Sequence, residues 1–440
     1  MTKMKIEILF KELIKPSSPT PTQLRDFKLS FIDERIPPFY GPLILYYTFN
    51  EHQNIKQPEM VGLLKSSLSN ALVQFYPFAG RMKGQIFVDC NDDGILYVEA
   101  QGHGRILDII KSPQSEILDK LTPFISSGFV SNYVEEPLAV QITSFICGGI
   151  AIGICISHRI ADHYSLSSFT KCWAAVARRD HANPITPVFN SAALFPPRNT
   201  PDFQPNFKSP SVLPLAPKVQ MKVFLFTPAA VNALKLQVTG NTSIVNPSRV
   251  EAVTAFLWSR CAAAAGVKKS DLSIACHPVN IRGKISALTE HSFGNLFQMV
   301  TAESDGETGW IELMEKLRAA FGRLDGEYME KLLGEKGFDL AKENFMEISK
   351  YLARGNVEVF RFTSLCRFPV YEADFGWGRP VWVSYAGVPN KNCIFLFDCV
   401  GMEGGVEAWI VMTDQAMERL QQDVEFNKFT TAYGCNRSRL

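Results

Sequence analysis

Apolar residues at Met60, Leu63, Leu64, Leu68, Ala71, Leu72 and Phe75 fall three or four apart, which predicts a helix with one face turned to a core. Around it the pattern shortens to strand length. Lys5 to Leu13, Leu43 to Phe49, Ile86 to Cys90, Ile95 to Glu99 and Leu138 to Phe145 carry the β-branched and aromatic content of strands. Gly148 to Ser157 is an almost continuous apolar run, the pattern of a strand buried on both faces. From Tyr164 to Arg178 the period becomes helical again, through Leu166, Phe169, Trp173 and Val176. The first half is therefore mixed α and β, and the residues between the last two elements form a strand-to-helix turn.

Pro196 to Pro217 holds seven prolines with few periodic apolar residues, the composition of an extended linker, and a domain boundary is expected there. Beyond it Ser248 to Ala264 reads as a helix with Ser248 as N-cap, and Trp310 to Phe321 and Ala341 to Leu352 read as further helices. Strands return at Val357 to Thr363, Val381 to Tyr385, Cys393 to Asp398 and Val406 to Met412. No internal repeat or low-complexity tract interrupts this order. At 440 residues the chain is long enough for an α/β protein of two or three domains, each with its own core.

Charge narrows the partners. Lys plus Arg total 45 against 44 Asp plus Glu, so no net field draws the molecule to nucleic acid or an anionic membrane, and a small-molecule partner is the starting expectation. No apolar run approaches the roughly 20 residues that span a bilayer, and the N-terminus lacks a signal-peptide core, so a cytoplasmic protein is expected. Ten cysteines are scattered singly, without C-x-x-C pairs or zinc-type Cys/His spacing, which suits reduced thiols and no metal. The final Ser438-Arg439-Leu440 differs by one basic-for-basic change from the peroxisomal address Ser-Lys-Leu, which leaves a peroxisomal location as the alternative.

Two segments are candidates for chemistry. His158 of His158-Arg159-Ile160-Ala161-Asp162 stands at the strand-to-helix turn, where a rigid scaffold fixes a side chain while leaving one end open to ligand. A neutral imidazole with an ordinary pKa of about 6.5 accepts and releases a proton at little cost, the requirement for a general base near neutrality. Asp162 either orients it or serves the fold; the spacing alone leaves both open. The second segment is Asp374-Phe375-Gly376-Trp377-Gly378, followed by Arg379-Pro380. Its opening triplet matches the kinase metal-binding motif, but no glycine-rich loop or Val-Ala-Ile-Lys strand accompanies it, so a glycine turn whose Asp satisfies backbone donors is expected. The absence of a Gly-x-Ser-x-Gly elbow, a Walker A loop and a complete Gly-x-Gly-x-x-Gly disfavours serine hydrolases and nucleotide enzymes.

With both segments present in this order, the chain resembles the plant BAHD acyltransferase family, marked by His-x-x-x-Asp in mid-chain and Asp-Phe-Gly-Trp-Gly near the C-terminus. Further matches are Lys15-Pro16-Ser17-Ser18-Pro19-Thr20-Pro21, Tyr76-Pro77-Phe78-Ala79-Gly80-Arg81, Asp89-Cys90-Asn91-Asp92-Asp93-Gly94, Val279-Asn280-Ile281-Arg282 and Phe293-Gly294-Asn295. The opening and the Cys-Asn-x-x-Gly segment are similar to the vinorine synthase and salutaridinol acetyltransferase branch, which mostly acetylates alkaloid hydroxyls. The resemblance implies a monomer of two α/β domains, in the chloramphenicol acetyltransferase-like fold, with an active-site channel between them. It places 1–195 with a returning stretch 366–395 in the first domain, 196–217 in the crossover, and 218–365 with 396–440 in the second.

The resemblance also implies roles. Acyl-CoA, acetyl-CoA in this branch, is a cosubstrate and no cofactor is bound. His158 takes the acceptor proton without an acyl-enzyme. Asp162 points away from substrate and pairs with Arg282. Asp374, Gly376, Trp377 and Gly378 support the site from a distance, and Thr363 and Asn295 are candidate oxyanion or substrate contacts. One departure stands out: where many relatives carry an indole donor, Thr363-Ser364-Leu365-Cys366-Arg367 offers Leu365, which cannot donate a hydrogen bond. Loss of one oxyanion donor typically costs about 2.7 to 4 kcal/mol of barrier. Altered chemistry on the same fold, N-acylation, or a silent binding protein are therefore the alternatives. A condensation domain is disfavoured because its second histidine would stand where Ser157 is.

Overall fold

The computed structural model describes residues 4–49, 55–84, 86–124, 136–180, 185–198, 218–306, 308–352, 354, 356–388 and 390–433. The terminal tripeptide and all but the first three residues of the proline-rich linker lie outside this set. The chain divides into two compact units, the first made of residues 1–213, 286–296 and 368–388, the second of 214–285, 297–367 and 389–440. This differs from the expected division in two ways. The returning segment is shorter than 366–395, and 286–296 joins the first unit because Val188 bridges Ser292 and Phe293 N–H donates to Val188 O (2.9 Å).

The first unit is built on a six-stranded mixed sheet. Its strands are β1 (Lys5–Ile14), β2 (Tyr40–Tyr47), β3 (Ile95–His103), β4 (Leu138–Phe145), β5 (Ile150–Ser157) and the returning strand Trp382–Ser384, in spatial order β1-β3-β4-β5-β2 and then the returning strand. β3 and β4 run parallel and the other neighbours antiparallel. All eight residues of β5 are buried, as an apolar run without alternation requires. β2 begins three residues before the expected Leu43 because it pairs with β5 along its whole length, from Tyr40 opposite Ser157 to Tyr47 opposite Ile150. Likewise β3 runs on to His103, where it still has Lys5 of β1 as partner.

Two helices of this unit, α1 (Gln57–Gln74) and α2 (His163–Ala177), are joined by the buried Trp173, whose Nε1–H donates to Leu64 O (3.1 Å) and Ser67 Oγ (3.0 Å). The segments matched in sequence act as joints. Thr20 donates from its N–H (2.8 Å) and hydroxyl (2.6 Å) to the Asp92 carboxylate, and Arg81 spans Gly80 O (2.8 Å) and Gly94 O (2.7 Å). Phe27, Phe75, Phe78 and Phe169 meet Phe293 or one another edge-on at centroid distances of 5.1–6.1 Å, which anchors the segment 286–296 beside the loop described below.

The second unit holds a seven-stranded mixed sheet. β6 (Val219–Phe226), β7 (Leu272–Asn280), β8 (Phe297–Asp305), β9 (Val357–Ser364), β10 (Cys393–Asp398) and β11 (Val406–Thr413) lie in the order β8-β7-β9-β10-β11-β6, and Thr431–Ala432 closes the edge. The helix α3 (Arg249–Ala265) opens on a capping box: Ser248 Oγ accepts from Glu251 N–H (3.2 Å) and Glu251 Oε2 accepts from Ser248 N–H (2.9 Å). Trp258 of α3 donates to Ser273 Oγ (2.6 Å) on β7, and Glu251 pairs with Arg318 of α4 (Trp310–Gly322) at 2.6 Å.

The sequence pattern missed β6, β7, β8 and the helix Pro228–Asn241. β7 contains Pro278, a residue that argues against a central strand. It is tolerated because β9 pairs β7 only as far as Cys276. The opposite residue, Met299, turns its own N–H and C=O to the Asn344 side chain (3.0 and 2.7 Å), so the ladder asks nothing of residue 278. Among the described residues no helix is long and apolar enough to cross a membrane, and the nine described cysteines are free thiols.

Candidate active site

β5 ends at Ser157, and the turn after it is held by backbone bonds before any side chain contributes. Ser157 N–H donates to Pro137 O (2.8 Å), His158 N–H to Phe39 O (2.9 Å) and Ile160 N–H to Ser157 O (3.2 Å). The partly buried His158 ring lies against Phe39, centroids 4.8 Å apart. Burial holds its pKa below the usual histidine value, against the opposing pull of the Asp162 carboxylate. The imidazole is therefore neutral near pH 7, the state in which it accepts a proton.

Each carboxylate oxygen of Asp162 accepts from the main chain. Oδ1 caps α2 by accepting from Ser165 N–H (2.8 Å), and Oδ2 accepts from Leu296 N–H (3.1 Å). Its own N–H donates to Gly294 O (3.3 Å), which also accepts from Ser165 Oγ (3.1 Å). The residue thus clasps the segment 294–296 to the start of α2. Arg282 belongs to the second unit, where its backbone and guanidinium both donate to Asn280 Oδ1 (3.0 and 3.3 Å).

Asn295, expected among the candidate oxyanion or substrate contacts, is fully buried with its amide protons committed. Nδ2 donates to His158 O (2.8 Å) and to Asp33 Oδ1 (2.8 Å), and its backbone N–H also donates to Asp33 Oδ1 (2.7 Å). Its donors hold the His158 main chain and have none left for substrate. The buried Asp33 that receives them carried no sequence signal. Burial pushes its pKa up to about 6, although the donors of Ser30 and Asn295 favour the charged form.

Three more residues of the first unit, of which one borders His158 and two pack on that one, were not singled out in sequence. His163, the first residue of α2, places its ring 5.6 Å from that of His158 and 5.1 Å from that of Tyr385. Gly41 of β2 makes room for it: a Cβ at that position would meet His163 Cε1 at 2.7 Å and Nε2 at 2.9 Å. The available signal was adjacency, a second histidine directly after the His-x-x-x-Asp pair.

The turn at Asp374 is built from its own amides. Asp374 Oδ1 accepts from Gly376 N–H (2.8 Å) and Gly378 N–H (2.9 Å), with φ of 109° and 105° at the two glycines, values open to glycine alone at little cost. Phe375 packs edge-on against Trp173 (4.9 Å), Trp377 stacks on Phe375 (5.6 Å), and Tyr47 OH donates to Ala373 O (2.7 Å). Thr363 sits on β9 of the second unit opposite Phe395, and Leu365 beyond it is buried with its N–H on Leu396 O (2.8 Å). Among the described residues no three His, Cys, Asp or Glu side chains are grouped to hold a metal.

Residues 4–427 match the model of the Transferase family. The chain belongs to that family, the BAHD acyltransferases. It is an acyltransferase. Stemmadenine O-acetyltransferase of Catharanthus roseus is 35% identical, covering 95% of this chain and 96% of its own, and a limonoid 7-O-acetyltransferase of Citrus sinensis is 32% identical over 98% and 99%. The crystal structure of vinorine synthase, a protein of Rauvolfia serpentina, superposes with a TM-score of 0.82 at 31% identity, covering 98% of this chain and 100% of that one. The same two-domain α/β fold recurs in F. sporotrichioides TRI101 complexed with coenzyme A and T-2, at a TM-score of 0.68 and 18% identity over 93% and 100% of the two chains.

Proposed function

We propose that this BAHD acyltransferase moves an acyl group from an acyl-CoA thioester, acetyl-CoA in the simplest case, to a hydroxyl of a polycyclic metabolite. The observation that carries the reading is His158: a neutral imidazole locked by main-chain bonds at the end of a fully buried strand. This imidazole removes the acceptor proton as the oxygen attacks the thioester carbonyl. The tetrahedral adduct collapses, the C–S bond breaks, and the imidazolium returns the proton to the departing thiolate, so no acyl-enzyme forms. Two relatives named as O-acetyltransferases support the acetyl group and the hydroxyl acceptor. Because one of these is a limonoid enzyme, the acceptor class extends beyond the alkaloids that the sequence resemblance favours.

A second reading, N-acylation or altered chemistry on the same fold, is favoured by Leu365, which offers no hydrogen bond to an oxyanion. Purified protein offered acetyl-, malonyl- and aromatic acyl-CoA with a set of polycyclic alcohols and amines, read by product mass, separates the two. His158→Ala is expected to lower turnover by about 10²- to 10⁴-fold with the fold intact. A near-normal rate in that variant overturns the mechanism.

A further inference from the structure

The tetrahedral adduct of acyl transfer places a negative charge on the former carbonyl oxygen, and a donor fixed at that point is commonly the largest single contribution to the rate. Within the first unit the donors nearest His158 are otherwise employed: Asn295 Nδ2 holds His158 O and Asp33, and Ser165 Oγ holds Gly294 O. His163 differs from these. Its ring stands 5.6 Å from that of His158, at an interplanar angle of 63°, wedged between Gly41 and the Tyr385 ring. Nε2 is shielded from solvent and has no hydrogen-bond partner.

The surroundings also select the tautomer. A proton on Nε2 would face Gly41 with no acceptor, which favours the neutral tautomer protonated on Nδ1. The ring is kept neutral by burial, by the neighbouring His158 and by its place in the first turn of a helix, whose N-terminal end disfavours a cation. A neutral histidine at a helix N-terminus is a known type of electrophilic donor, since it polarises a carbonyl without giving up its proton.

We propose that His163 is a catalytic residue whose Nδ1–H donates a hydrogen bond to the oxyanion of the tetrahedral adduct. The attacking oxygen lies at His158 and the carbonyl oxygen at His163, and no proton leaves His163 during the step. This rests on the acyl-transfer reading of the site, and it supplies within the first unit the kind of donor that Leu365 cannot be.

Thiol release from acetyl-CoA, measured with the fastest alcohol of the set above and with water alone as acceptor, tests it. His163→Leu removes the donor and is expected to lower kcat by about 10²- to 10³-fold with little change in KM for acetyl-CoA. His163→Asn, whose Nδ2 falls where Nδ1 was, restores at least part of that loss, whereas His163→Gln, whose amide reaches towards Gly41, does not. Melting temperatures confirm that each variant is folded, and ¹⁵N histidine shifts of the wild type report the Nδ1–H tautomer. Wild-type kcat in folded His163→Leu, a loss confined to KM, equal rates in the Asn and Gln variants, or an Nε2–H tautomer overturns the proposal. Failure of the underlying reading looks different: no acyl-CoA supports thiol release, or His158→Ala keeps its rate.

Discussion

At the scale of the residue, two imidazoles and a glycine define what the site tolerates. Because burial lowers the His158 pKa, its base form persists below the usual histidine range. The acid limb of kcat/KM is therefore expected below about pH 6.5, the ordinary histidine value. A pH–rate profile whose acid limb lies at or above that value contradicts this. Gly41 is required by space rather than by backbone angle, since a Cβ there would stand 2.7 Å from the His163 ring. Gly41→Ala must push the ring or the strand aside, a change that costs about 1 to 3 kcal/mol in a packed interior. Urea unfolding is expected to show that loss, and turnover should fall with it because the His163 ring is displaced.

At the scale of the element, the turn between β5 and α2 is a clasp made by one carboxylate. Removing it in Asp162→Ala takes away the helix cap and leaves Leu296 N–H without its acceptor. The expected destabilisation is about 2 to 4 kcal/mol, read from denaturant midpoints, with turnover reduced because both sides of the His158 loop lose their tie. Asp162→Asn keeps an oxygen for the cap and should lie between the two. Helix and strand positions follow from local pattern wherever one face is apolar, as in α1, α2 and α3. They were missed in β7 and β8, where His277, Pro278 and polar residues interrupt the run and pairing with neighbours decides the strand. Pro228–Asn241 was missed too, although Thr227-Pro228 is an N-cap and first-turn signal: Thr227 Oγ1 accepts from Ala230 N–H (3.1 Å).

At the scale of the whole molecule, near-zero net charge leaves ligand affinity to specific contacts rather than to a field. If acyl-CoA is the donor substrate, acetyl-CoA or CoA binds the folded chain and not the unfolded one. At 100 times its dissociation constant it should then stabilise the protein by about 2.7 kcal/mol, seen as a raised melting temperature. No shift at saturating concentration removes the donor assignment while leaving the fold untouched.

The sequence by itself determined the elements with strong periodicity, the α/β class, the family resemblance and the position of His158 at a strand-to-helix turn, because these are written in local spacing and in contiguous motifs. Its composition also anticipated the Asp374 turn, since an Asp followed by two glycines can satisfy its own amides. Only the tertiary structure decided the rest. The pairing of β2 with β5 set where β2 begins, and the union of 286–296 with the first unit brought Asn295 to His158, 137 residues away in the chain. That union also gave Asp162 a second backbone partner in Leu296 and enclosed Asp33 among its donors. Such contacts join distant segments through single hydrogen bonds and buried polar atoms, and no local pattern of residues encodes a partner more than a hundred positions away.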